Sequence, residues 1–183
     1  MFAFRTLLAF STLAGALANP LEARQATNTN VAIHDIVSDL DMQIHINIPN
    51  ILTMQANHSA TDGTIGTQVN QLITAFTSAA SALLSTPISS GSTTVRPTND
   101  DISIIFADIM QLTSTGFSGL TPAVVPTFTA MISRLDPTVA AATNALNTAL
   151  PGSVTLVHIM MLDAQQFLVK AGAWPQTLAA LGF

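Results

Sequence analysis

Four histidines and two short acidic runs are the side chains of this chain that could do chemistry. His34, His45, His58 and His158 titrate nearest neutrality. His34 and His45 stand eleven residues apart, nearly one helical face, and Asp41 lies one turn before His45. That spacing could hold a metal ion or a carboxylate–imidazole dyad. A polar rim with a local Asp–His pair explains it more simply, and no metal is assigned. Asp35, Asp39 and Asp41 could act as paired carboxylates, but acidic residues near a helix start also suit the helix dipole and solubility, as do Asp100 and Asp101. The sequence has no G-x-S-x-G elbow, H-E-x-x-H pair, phosphate loop or dinucleotide fingerprint. It reads as a non-enzyme with no catalytic residue and no cofactor. A hydrolase could use only His45 with Asp41.

Binding is the better-supported chemistry. Phe106, Met110, Phe128, Met131, Met160, Met161 and Phe167 fall on the apolar stripes of three successive segments. Methionine is polarisable and adapts to variable apolar partners. Each residue taken alone is explained by core packing. As a set they are the candidates to line a groove or cavity for an acyl chain, or to meet a wax-like surface.

The composition agrees. Charged residues make up 8% of the chain, hydrophobic residues 49%, and mean hydropathy is +0.49. A soluble domain usually carries about 25% charged residues. Thirty-eight Ser and Thr face only 15 charged residues, so hydroxyls must cover much of the polar surface. Residues 1–18 read as a secretory signal peptide, with Arg5 as n-region, Leu7 to Leu17 as h-region and Ala16-Leu17-Ala18 as cleavage site. Removing Arg5 leaves four basic against ten acidic residues, a charge of −6. With no basic cluster, nucleic acid and anionic lipid headgroups are poor partners. No later run reaches the 18 or so apolar residues of a membrane span, so a secreted chain without a transmembrane segment is expected. The absence of cysteine excludes hydrophobins and disulfide-stapled lipid carriers.

Five helices are expected to carry these residues, after a polar segment over 19–30. The first runs from about Val31 to Gln55 on a stripe through Ile33, Val37, Leu40, Ile44 and Ile48; alternation from Met42 to Ile48 would also suit a strand, but the longer stripe favours a helix kinked at Pro49. The second covers about Thr64 to Leu84, followed by a Ser/Thr/Gly/Pro linker that could carry O-glycans. Thr98-x-x-Asp101 is a capping box opening the third. The fourth spans about Pro122 to Leu150, bent or divided at Pro137 with Asp136 as a possible internal cap. Ser153 opens the fifth, which Gly172 and Pro175 close before a short tail. Short connections favour antiparallel neighbours, so an all-α fold is expected over 31–183: a single up-and-down bundle of about five helices, some kinked at proline. Asn57-His58-Ser59 is a candidate N-glycosylation site at a helix end.

Taken together, these segments resemble the fungal hydrophobic surface-binding protein A family and the related antigenic cell-wall galactomannoproteins. The resemblance lies in Asp35-Ile-Val-Ser-Asp-Leu40, the Ala/Ser-rich Thr74 to Leu84, the capped Thr98-Asn-Asp-Asp-Ile-Ser103, Val125-Pro-Thr-Phe128, and Leu135-Asp-Pro-Thr-Val-Ala-Ala-Ala-Thr-Asn-Ala-Leu146. Two stretches depart from it: the Ile-rich Met42 to Pro49, and the strongly apolar Val154 to Leu162. The resemblance implies a secreted or wall-associated protein that adsorbs to hydrophobic surfaces and recruits a secreted hydrolase to them. The galactomannoproteins imply a fatty-acid pocket within a five-helix bundle. No defined binding residue transfers. The expected function is binding of a hydrophobic surface or a small lipid such as a fatty acid. A structural glycoprotein of the cell wall is the alternative.

Overall fold

Thr61 and Thr98 open two of the helices by the same device. Each hydroxyl accepts from the backbone N–H three residues on, and the residue there (Thr64 or Asp101) reaches back to the threonine's own N–H. Both reciprocal pairs satisfy donors that a helix start otherwise leaves unpaired. Thr98→Ala is expected to cost about 1 kcal/mol of stability, read by chemical denaturation. The bonds from Thr98 hold the Asp101 carboxyl below its ordinary range, with Arg96 a smaller influence. A lowered folded-state pKa means the stabilisation is present above the ordinary carboxylate range and lost as pH falls through the lowered value. The Tm gap between wild type and Asp101→Asn should therefore close on acidification.

The computed structural model describes residues 27–183. The expected signal peptide over 1–18 and the residues through Ala26 lie outside them. The described chain is all-α, with seven helices and no strand: α1 (Asn30–Ala56), α2 (Asp62–Ser85), α3 (Asn99–Gly116), α4 (Phe128–Ala149), α5 (Ser153–Met161), α6 (Gln165–Ala171) and α7 (Pro175–Leu181). The ambiguous stretch from Met42 to Ile48 is helical, and α1 runs through Pro49. Likewise α4 runs through Pro137 without dividing. Among the described residues no helix is long and apolar enough to cross a membrane.

Helix direction follows from the hydrogen bonds at the two ends. At one end Asn30 of α1 donates to Asn99 of α3 (3.0 Å), and the Ser89 N–H just past α2 donates to Ala149 O at the end of α4 (2.8 Å). At the other, Gln55 of α1 donates to Gly116 O (2.8 Å), while Asp62 at the start of α2 accepts from the Thr127 N–H and hydroxyl at the start of α4. Successive long helices thus alternate in direction, but the neighbours are not successive. α1 packs on α2 and α3, α2 on α4, and α3 on α5, so α1/α3 and α2/α4 are parallel pairs. The expectation of antiparallel sequence neighbours holds for α1 and α2 and fails for α2/α3 and α3/α4, because the 86–98 and 117–127 connections are long enough to cross the bundle ends.

The first crossing is no loose linker. Ser89, 6% exposed, donates to Asn30 Oδ1 (2.7 Å) and accepts from the Thr29 and Gly91 N–H groups. Asn30 in turn donates to Pro97 O, and Asn99 Oδ1 accepts from the Ser92 N–H. Gly91 has a φ of +71°, and a Cβ there would meet the Asn99 amide, so only glycine suits the turn. Ser89→Ala strands one buried partner, Asn30, and two half-buried ones, Thr29 and Gly91, and is expected to cost about 1–3 kcal/mol, measurable by urea denaturation.

The C-terminal third departs furthest from expectation. The single fifth helix is two, α5 and α6. Residues 162–164 turn, and the Gln165 and Gln166 amides donate to Leu162 O and Asp163 O, two carbonyls that the break releases. Gly172 ends α6 in the left-handed region, and Pro175 is the first residue of α7, so the supposed tail is itself a helix. Gly152 (φ +85°), not Ser153, occupies the cap position of α5. Helix α4 begins only at Phe128, because 121–127 are turns. Asp136 is not an internal cap; it caps α7, accepting from the Gln176 and Thr177 N–H groups at 3.0 and 2.8 Å.

Candidate functional site

Placed in this bundle, five of the seven Met and Phe candidates become core. Phe106, Met110 and Met161 are wholly buried; Phe128 and Met131 are nearly so; Met160 and Phe167 are half-buried. Phe128 stacks obliquely with Phe117 at 6.1 Å, and Phe117 with Trp174 at 6.2 Å, so this aromatic row is filled by its own members. None of the seven lines the open cleft beside α1.

That cleft lies between α1 and α2 and has a volume of about 870 Å³, open along its length. Its α1 wall is Ile36, Asp39, Leu40, Met42, Gln43, Ile46 and Asn47; its α2 wall is Thr67, Asn70, Gln71, Thr74, Ala75, Ser78, Ala79 and Ala82. The cause is local. Both walls repeat at three and four residues, one face of each helix. On α2 the last turns of that face are Ala and Ser, too short to fill the seam against the branched side chains of α1. Met42 and Ile46, one turn apart, are 56% and 52% exposed. An exposed pair of this kind at a cleft rim is a site where apolar area can still be removed from water. Asp39 is the one charged residue of the lining, and no cation faces it there. Asn47, 2% exposed, uses its amide N–H on Gln43 O and leaves Oδ1 unpaired. The Ala/Ser run was visible in the sequence, but packing, not periodicity, decided that its face would stay open.

The weak dyad acquires a third member. His45 Nδ1 lies 3.1 Å from the Asp41 main-chain oxygen and 3.2 Å from Asp41 Oδ1; its Nε2 lies 3.6 Å from Asp108 Oδ2 on α3. Burial pushes the Asp41 carboxyl above its usual range and Asp108 adds to the rise, while His45 opposes it. Among the described residues no hydroxyl is hydrogen-bonded to this group. His34 stays near its own turn, 3.5 Å from Ser38 Oγ and 3.6 Å from Asp35, apart from His45. His158 holds the last turn, 2.8 Å from Leu181 O and stacked on Phe183. Asn57 is exposed at the end of α1, its Oδ1 accepting from the Ser59 N–H and hydroxyl.

No protein-family model matches this chain, and no curated protein matches it either.

Proposed function

We propose that this chain is a secreted, non-enzymatic protein that binds a long apolar ligand, or the edge of an apolar surface, in the α1–α2 cleft. The carrying observation is the cleft itself: its volume falls within the roughly 300–1,000 Å³ of small-molecule sites, and Met42 and Ile46 stand exposed on its rim. The resemblance to the hydrophobic surface-binding family supports the same reading. The Met and Phe set lies outside the lining of this cleft.

The lining also indicates the ligand's polarity. Asp39 repels an anionic headgroup and no cation is present to receive one, so a neutral chain such as a long-chain alcohol is favoured over an ionised fatty acid. The double variant Met42→Glu/Ile46→Glu should weaken binding of a fluorescent long-chain alcohol at least about tenfold, or about 1.4 kcal/mol, with helicity unchanged. Binding that survives the double variant would place the ligand elsewhere.

Asn57 carries a second, compatible reading as a glycan site, since it is exposed and its sequon hydroxyl already engages the amide. A glycoprotein that shows neither lipid nor surface affinity would favour the structural alternative.

A further inference from the structure

On its α3 side, away from the cleft, α1 carries an arrangement that neither the binding reading nor the helix packing uses. We propose that Asp41, His45 and Asp108 bind one divalent transition-metal ion, best matched by zinc, between α1 and α3. One ligand atom from each residue lies within 4.8 Å of the other two, so a single ion can reach all three with small side-chain movements.

The tautomer of His45 sets up the site. Its Nδ1 lies 3.1 Å from the Asp41 main-chain oxygen and 3.2 Å from Asp41 Oδ1, and a ring proton placed on Nδ1 between these acceptors leaves Nε2 free for the ion. A histidine ligand commonly donates its second ring N–H to a carbonyl or carboxylate in this way. The Nε2 lone pair then points toward Asp108 Oδ2 at 3.6 Å with no proton between them. That separation is too long for a hydrogen bond. It is close to the roughly 3.4 Å edge between two ligands of a tetrahedral zinc with bonds of about 2.0–2.2 Å.

Asp41 Oδ1 is shut off from solvent, and its polar neighbour is His45 Nδ1 at 3.2 Å, which has the Asp41 main-chain oxygen as its other partner. No lysine or arginine pairs with either carboxylate; among the described residues, Arg96 is the one basic side chain paired with a carboxylate, and it meets Asp101. Two carboxylates and an imidazole that lack a cation of their own form an N/O set suited to zinc and its neighbours more than to calcium or magnesium. His45 and Asp108 are each about half exposed, which leaves room for a water to complete the coordination.

The test is calorimetric titration of the chelator-treated full chain with zinc chloride. One ion per chain is expected, with affinity reduced at least about tenfold in His45→Ala and in Asp108→Asn, and unchanged in His34→Ala and His158→Ala. Absence of stoichiometric uptake, or uptake that survives both His45→Ala and Asp108→Asn, would overturn the proposal. A variant that loses helicity is replaced by imidazole NMR of the wild type. There the Nε2 resonance of His45 must shift on zinc addition while its Nδ1 proton persists, and shifts confined to other histidines overturn the site.

Discussion

Trp174→Ala is expected to lower the unfolding free energy by about 3–5 kcal/mol. Trp174 is 1% exposed, is the chain's one tryptophan, and immediately precedes α7. Its ring closes the row Phe128, Phe117, Trp174, which joins the start of α4, the end of α3 and the start of α7. Truncation removes the apolar area of the indole and leaves a cavity where three elements meet. Domains of this size are stable by about 5–15 kcal/mol, so a large share would go. Urea denaturation followed by circular dichroism reads it. A loss under about 1 kcal/mol would mean that the C-terminal helix is dispensable to the core.

Asp136→Ala should cost nearly as much, by a different route. The carboxylate is 2% exposed and accepts from two backbone N–H groups of α7, while the Thr177 hydroxyl donates to the Asp136 main-chain oxygen. A hydrogen bond to a charged group contributes about 1.5–3 kcal/mol, and alanine would leave the Thr177 N–H buried and unpaired while the Gln176 N–H turns to solvent. The expected loss is about 3 kcal/mol, with α7 released first. Trp174 then serves as reporter: its emission should shift to the red under native conditions in Asp136→Ala. Asp136→Asn keeps one acceptor oxygen and should fall between. An unshifted spectrum in the alanine variant would show that α7 docks by apolar contact alone.

Helix existence was legible because the stripes are long. Ile33 to Ile48, Ile65 to Leu83 and Ile102 to Met110 bury the positions that periodicity marks, and the Thr98 capping box sits where the spacing puts it. What was not legible depends on partners distant in sequence. Asp136 could cap its own helix or another, and only the approach of Gln176 and Thr177, about 40 residues later, decides for α7. The crossing at 86–98 looks flexible by composition, yet Ser89 and Asn99 find partners on α1 and within the crossing itself.

The candidate site divides along the same line. Met and Phe on helical stripes mark burial, and they do not say whether a face meets protein or ligand. Met110 and Met161 meet protein. Met42 and Ile46 sit beside the main stripe of α1, where periodicity reads a polar edge; short side chains across α2 turn that edge into a cleft wall. Asp108 was likewise invisible as a partner of His45, because nothing local shows that α3 packs on α1.

The cleft reading is tested most directly by methyl NMR of the chain labelled at methionine, titrated with a long-chain alcohol. Met42 stands on the cleft rim, whereas Met110, Met131 and Met161 are buried within the bundle. Saturable shifts at Met42, with Met110 and Met161 unmoved, are the predicted result. Shifts centred on Met110, Met131 and Met161 would mean that the bundle opens to take its ligand inside, and would contradict a preformed cleft.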